Sequence, residues 1–460
     1  MFRQGRIRSF ERVSRVSHWF RGRFTPAGQL ILAVIVASGV IGVDISRNLS
    51  YQIFSLSVSL IGLAVIFAAF NRCKFSCTRT LPPIATVGEP VHYHIDITNE
   101  TSTLQSDLLV VDQLELQSPT EQELHQFRDP QSVQENRFDR IVGFPRWDRL
   151  AKIKTGAEVP SQRLTKMSAN ETVKLKLSLT PLRRGYIRFQ GVNIGCPDIS
   201  GIFRSVYRQT IKEALLVLPK RYPVPYIQLP GHRQHHQGGV SMSSSVGEAA
   251  EFHGLRDYRP GDPLRHIHWR SWARTGKPVV KKYEDEYFVR HALILDTYGQ
   301  SANTPQFEEA VSVAASLVLN VADQESLLDL MFVDRRAYRF TTGRHTADVQ
   351  YLLEILACVN PEYHQSFETL AQLVRHHSGQ LSSAICVLLQ WDESRKTLVN
   401  ALRVLGINVV VIIFTETAHT KTEQDGFGSM DGQQHYIHWV QVGDIEQGLV
   451  RLAHVQGGFS

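Results

Sequence analysis

The stretch "HALILDTYGQ" (His291–Gln300) decides how the C-terminal part of the chain folds. His291–Asp296 is a short, nearly continuous apolar run, which reads as a strand buried on both faces. "FEEAVSVAASLVLNVADQ" (307–324) follows with helical character. Beyond it, "LLDLMFV" (327–333) and "AYRF" (337–340) are strands, and Val349–Ala357 and Phe367–His376 are helical. "AICVLLQ" (384–390), a helix near Thr397–Leu405, "NVVVIIF" (408–414), "YIHWVQV" (436–442) and a short helix at Ile445–Ala453 complete the series. Apolar strands alternating with helices predict a doubly wound, mostly parallel sheet over residues 289–460, covered on both faces.

In such sheets ligands lie at the carboxyl ends of the strands. Two aspartates stand there, Asp296 after the first strand and Asp392 after "AICVLLQ". The arrangement resembles the von Willebrand factor A fold. That resemblance implies a metal-dependent adhesion site built from Asp-x-Ser-x-Ser, a threonine from a later loop and a further aspartate. Hard oxygen ligands of this kind suit Mg²⁺. Here the loop reads "DTYGQ", with Tyr298 and Gln300 where serine hydroxyls are implied. Asp296 and Asp392 are candidate ligands of a degenerate magnesium site, or else caps of the helices that follow. No other cofactor is expected.

Upstream lies the densest polar stretch of the chain, "FHGLRDYRPGDPLRHIHWRSWARTGKP" (252–278). "RPGD" (Arg259–Asp262) suits a type II turn, with Pro260 setting φ and Gly261 supplying a positive φ. Asp262 is placed to cap a helix running from Pro263 to about Thr275, with Gly276 ending it. On that helix Leu264, Ile267, His268 and Trp272 share a face, and His266, Arg270 and Arg274 form a basic one. His266 and His268, two apart, point to different sides and do not form a metal pair. Arg256, Arg259 and Arg265 have Asp257, Asp262 and the acids of "YEDEY" (283–287) as partners for bidentate pairing. A docking network of Arg256, Asp257, Tyr258, Arg259, Gly261, Asp262, Arg265, His268 and Trp269 is one reading. Acid–base catalysis by Asp257, Asp262, His266 and His268 is the other.

The N-terminal part has a different character. Residues 1–23 hold seven arginines against one acid, Glu11, and beyond them basic and acidic side chains balance, so the net charge of +6 resides at this terminus. Residues 24–43 and 48–71 are free of charge, and each run can span a hydrocarbon core of about 30 Å at about 1.5 Å per residue. A hairpin of two transmembrane helices is expected, at residues 27–45 and 50–70. Arginines before it, and Arg72, Lys74 and Arg79 after it, place both ends in the cytoplasm, with residues 1–26 as a basic N-terminus. Five cysteines (Cys73, Cys77, Cys196, Cys358, Cys386) without a dense framework agree with a reducing compartment. Cys73 and Cys77, beside the membrane, are open to lipidation or are ordinary thiols.

Residues 80–218 show period two, as in "VHYHIDIT" (91–98) and "TVKLKLSLTP" (172–181), and predict a β-sandwich-like region with a poorly periodic insertion near 117–169. Residues 219–247 have linker composition; His232, His235 and His236 there are solvated histidines or loose metal ligands.

The segment "EFHGLRDYRPGDPLRHIHWRSWARTGKPVVKKYEDE" (251–286), followed by "LILD", resembles the signature of the bacterial DUF58 family. "PLRRGYIRFQGVNIGCPDISGIFR" (181–204) resembles a second element of that family, with "PDISGIF" in place of its usual aspartate–proline–phenylalanine–glycine. The resemblance implies a multi-pass inner-membrane protein, with residues 248–288 as signature and 289–460 as a von Willebrand A-like domain. It also implies company with MoxR-type AAA+ ATPases and other membrane proteins. The expectation is a non-enzymatic, cytoplasm-facing scaffold or adaptor in protein maturation or envelope stress. A hydrolase and an anion or nucleic-acid binding module are the alternatives. Charge balance beyond residue 23 argues against nucleic acid.

Overall fold

The computed structural model describes residues 2–41, 48–70, 73–127, 139, 142–224, 251–262, 264–284, 289–299, 304–322, 326–342, 346–415 and 437–456. The chain divides into two compact units, Met1–Lys220 and Arg221–Ser460.

The first unit opens with α1 (Phe2–Arg23), α2 (Pro26–Ile41) and α3 (Asn48–Phe70). Among the described residues one helix, Leu49–Phe70, is long and apolar enough to cross a membrane, with a mean hydropathy of 2.5. Its side chains Leu49, Leu56 and Phe70 are exposed rather than packed in a core. The apolar helix beside it, Pro26–Val40, is shorter. At about 1.5 Å per residue its described part falls short of a 30 Å core. The end of the predicted first span, at residue 45, lies outside the described residues. α2 and α3 pack together, with Gly39 facing the Phe54 ring.

The alternating segments form nine strands: β1 (Phe75–Thr80), β2 (Ile84–Thr86), β3 (Val91–Asn99), β4 (Gln105–Leu114), β5 (Ala157–Glu158), β6 (Gln162–Met167), β7 (Thr172–Pro181), β8 (Gly185–Pro197) and β9 (Arg204–Leu218). They make two sheets, ordered β1-β3-β7-β5 and β2-β9-β8-β4-β6. One core lies between them, where Tyr93, Ile95, Ile97 and Leu177 from one sheet meet Leu108, Ile187, Ile194 and Leu215 from the other. The alternation in "VHYHIDIT" therefore does place Tyr93, Ile95 and Ile97 inside. This core contains a charge. Arg79 pairs with Asp112 through Nε (3.0 Å) and NH2 (2.5 Å), and Tyr93 donates to the same carboxylate at 2.8 Å. Neither member of the pair has side-chain access to solvent.

Within the poorly periodic insertion lie α4 (Glu121–Gln126) and α5 (Phe144–Thr155). Thr120 and Glu123 form a capping box at the start of α4. Leu124, Trp147 and Leu150 bury themselves against Phe10 of α1. The basic terminus is thus a packed helix as well as a charged one.

The second unit is a mixed α/β domain. β12 (Arg290–Leu295), β13 (Leu327–Asp334), β14 (Arg336–Thr342), β15 (Ser383–Leu388), β16 (Asn408–Thr415) and β17 (Ile437–Gln441) make one sheet in the order β14-β13-β12-β15-β16-β17. Every neighbouring pair is parallel except β13 and β14. That edge pair is a tight hairpin, turned by Arg335 at φ 56°. Its described helices include α7 (Pro305–Ala322), α8 (Thr346–Cys358), α9 (Glu368–His377), α10 (Glu393–Val404) and α11 (Ile445–Gln456). Burial along β12, β13 and β15 is almost unbroken, as continuous apolar strands require when both faces are covered. The chain runs from β12 to β13 on one side and returns to β15 on the other, so the order reverses at β12.

Candidate functional site

The signature segment folds on a two-stranded sheet, β10 (Glu251–Asp257) against β11 (Val279–Glu284). Between the strands, the Asp262 N–H donates to the Arg259 carbonyl at 3.0 Å, and Gly261 has φ +105°. The predicted turn is there, and it needs glycine. The continuous helix is not. Leu264–His266 is a single 3₁₀ turn, Ile267 bridges to Val280 and is buried, and the helix α6 runs only over Trp269–Thr275. Pairing of Ile267 with the sheet draws the backbone out of helical geometry. Leu264 is consequently exposed and does not share a buried face with Ile267. Gly276 ends α6 in the left-handed region, as its position suggests, its N–H donating to Trp272 at 2.9 Å.

Asp262 has a different task from helix capping. Its carboxylate accepts both terminal nitrogens of Arg256 at 2.7 Å and the Arg259 N–H at 2.9 Å. Hydrogen bonding to Arg256 holds its pKa down at about 2. His268 sits at the N-terminus of α6, its N–H bonded to Val279 and its Nδ1 2.7 Å from the Ser271 hydroxyl. Tyr258 ties the turn to the sheet through its N–H and the Pro278 carbonyl, 3.0 Å. Asp262 therefore engages an arginine and His268 a serine, so this segment sets up no carboxylate–histidine relay between them. The acids Asp285 and Glu286 lie outside the described residues.

What this segment displays is a set of exposed basic side chains and an exposed tryptophan. Trp269 is 64% exposed and stacks on Trp272 with centroids 5.3 Å apart. Leu255 and Leu264 are exposed on the same segment, as are Arg259, Arg265, Arg270, Arg274 and Lys277. Tryptophan and arginine on a rigid support are the residue types that dominate binding energy at protein interfaces.

The strand-end aspartates meet at the reversal point. Asp296, fully buried, accepts the Tyr298 N–H (3.0 Å), the Leu389 N–H (3.1 Å) and Arg395 Nε (2.7 Å). Arg395 NH1 reaches Asp392 at 2.6 Å, and its guanidinium lies 4.5 Å over the Phe367 ring. Asp392 also caps α10, accepting the Arg395 N–H at 3.0 Å. The two candidate magnesium ligands are thus brought together, with an arginine between them supplying the positive charge. Tyr298, in the place of a ligand serine, packs edge-on against Phe367. Gln300 and the linker histidines lie outside the described residues. Among the described residues no group of three or more His, Cys, Asp or Glu side chains gathers as a metal site. Arg395 escaped sequence reasoning because its partner is 99 residues away. Its position in the first turn after Asp392 was the available signal.

The second family-like element also has a structural task. Asp198 in "PDISGIFR" accepts the N–H groups of Ile202 and Phe203, both at 2.9 Å. The loop so formed receives the base of α2, where Thr25 donates to Gly201 at 2.6 Å and Gly28 leaves no room for a Cβ against the Ile202 carbonyl.

Residues 254–417 match the family described as "Protein of unknown function DUF58". The uncharacterized protein YeaD of Bacillus subtilis is 25% identical over 188 residues, which take in 40% of this chain. The chain spans about half the length of that curated relative, 45%. Solved structures with partial likeness include the CARDB domain of a Pyrococcus furiosus protein, at 8% identity and TM-score 0.17, covering 32% of this chain and 90% of that one. A FixG-related protein from Vibrio parahaemolyticus has 9% identity and TM-score 0.17, covering 32% of this chain and 95% of that one.

Proposed function

We propose that this protein is a membrane-anchored scaffold whose signature segment docks a cytoplasmic partner, and that the partner is a MoxR-like AAA+ ATPase. The observation that carries the reading is Trp269, exposed on an arginine-rich segment whose turn is clamped by Arg256 and Asp262. An acidic protein surface with an apolar pocket complements it. Net charge neutrality beyond residue 23 favours a protein partner over nucleic acid. The pairing of Asp262 with Arg256 and of His268 with Ser271 speaks against the hydrolase reading.

The tether is α3, with the apolar segment 27–45 as a second span. Arginines on the N-terminal side and Arg72, Lys74 and Arg79 on the other then hold both soluble flanks in the cytoplasm. The α/β unit is a von Willebrand A-like domain: sheet order and the single antiparallel edge strand support this. In it Arg395 takes the charge-neutralising role of the cation, so partner binding is independent of Mg²⁺.

Co-purification from detergent-solubilised native membranes tests the proposal. The wild-type chain recovers an AAA+ ATPase, and a chain carrying Trp269→Ala and Arg265→Ala does not. Equal recovery by both chains refutes docking through this segment.

A further inference from the structure

We propose that Cys73 and Cys196 form a reversible oxidation site at the membrane-proximal end of the N-terminal β unit, closing to a disulfide on reaction with a peroxide. The inference starts from how β1 lies along β9. Phe75 packs against Tyr207, the Cys77 N–H donates to Gln209 at 2.6 Å, and Arg79 donates to the Ile211 carbonyl at 3.2 Å. The same offset sets Cys73 Sγ 3.8 Å from the Ser205 hydroxyl. Ser205 is the cross-strand partner of Cys196 in the β8–β9 ladder and donates to the Cys196 carbonyl. Cys73, only two positions before β1, is thereby brought across more than a hundred residues to the cross-strand partner of Cys196, and it packs against the core cluster that contains Cys196.

The two sulfurs are unequal in the way such chemistry requires. Cys73 is half-buried, and Cys196 is fully buried. Donation from the Cys196 thiol and the Ser205 hydroxyl lowers the pKa of Cys73, while Cys196, bonded to Cys73 and desolvated, is pushed up. Cys77 and Cys386 are buried, and burial raises each thiol to about 12, so neither competes with Cys73 for the peroxide. All five cysteines are thiols in this structure.

The reaction balances as two steps. The Cys73 thiolate attacks one peroxide oxygen, the O–O bond breaks, and the departing oxygen leaves as water after taking up a proton, giving a sulfenic acid on Cys73. The Cys196 sulfur then attacks the Cys73 sulfur, the S–O bond breaks, and the hydroxyl leaves as a second water with the Cys196 proton. Two thiols are oxidised, and one hydrogen peroxide is reduced to two waters. The product ties Cys73, three positions past the end of α3, to β8.

The test uses the full-length chain in detergent, with Cys358→Ser to remove the exposed thiol. It is treated with hydrogen peroxide, blocked with N-ethylmaleimide and mapped by peptide mass spectrometry. The expected result is an intramolecular Cys73–Cys196 disulfide in most molecules, reversed by dithiothreitol, with Cys77 and Cys386 alkylated only after denaturation. With Cys196→Ser added, dimedone labelling of Cys73 rises at least about tenfold, because the sulfenic acid has no resolving thiol. The first readout needs no variant at Cys196. The proposal is overturned if Cys73 stays reduced, or if it is oxidised only to intermolecular disulfides.

Discussion

Arg395 joins Asp296 and Asp392, reaching one carboxylate at 2.7 Å through Nε and the other at 2.6 Å through NH1. Asp296 has no exposure at all, so the arginine is its charge partner in a low-dielectric place. Breaking such a pair from one side costs about 3–5 kcal/mol. Arg395→Met should therefore destabilise the α/β unit by that amount in urea denaturation. Millimolar Mg²⁺ should leave the wild-type melting temperature unchanged, since only a ligand that binds the folded state raises it.

Arg79 and Asp112 offer the same argument in the β unit, where both side chains are closed to solvent and Tyr93 completes the carboxylate's bonding. Asp112→Ala leaves the guanidinium buried without its main partner. The expected loss is roughly 3–5 kcal/mol by chemical denaturation, with the Arg79→Met, Asp112→Leu double variant losing much less.

The Arg256–Asp262 clamp carries a pH signature. Its carboxylate titrates at about 2, below the ordinary 3.8, because Arg256 holds the ionised form. A depressed pKa means that the contribution is complete above pH 3.8 and is lost as pH falls through 2. Carboxyl ¹³C shifts of Asp262 should show the low midpoint, and Arg256→Gln should move it back toward 3.8.

Orientation is testable at Cys358, which is exposed at the end of α8. With the soluble units in the cytoplasm, a membrane-impermeant maleimide added to spheroplasts should leave Cys358 unlabelled until the membrane is permeabilised. Labelling in intact spheroplasts would reverse the proposed orientation.

Much of the α/β unit was readable because continuous apolar strands leave few alternatives: the parallel strands from His291, Ala384 and Asn408 all formed. The edge hairpin at Arg335 was not, since a positive φ on arginine has no sequence marker. Single apolar residues such as Phe10, Leu124 and Trp147 show no periodicity, so the helices they join were invisible until they met in three dimensions. The signature segment misled for a related reason. Its Asp-Pro pair reads locally as a helix start, yet Ile267 gains more from pairing with Val280, and Asp262 from Arg256, than either would in a helix. Local signals located the segment; long-range pairs decided its shape.

The central claim is that the signature surface docks an AAA+ ATPase through Trp269. Its most direct test is a binding titration of the purified ATPase against the full-length chain in detergent, comparing wild type with Trp269→Ala. Because Trp269 is exposed, the substitution should leave the melting temperature unchanged. Docking through Trp269 requires at least about tenfold weaker binding by the variant, equivalent to about 1.4 kcal/mol. Equal affinities, or no binding by the wild type, would contradict it.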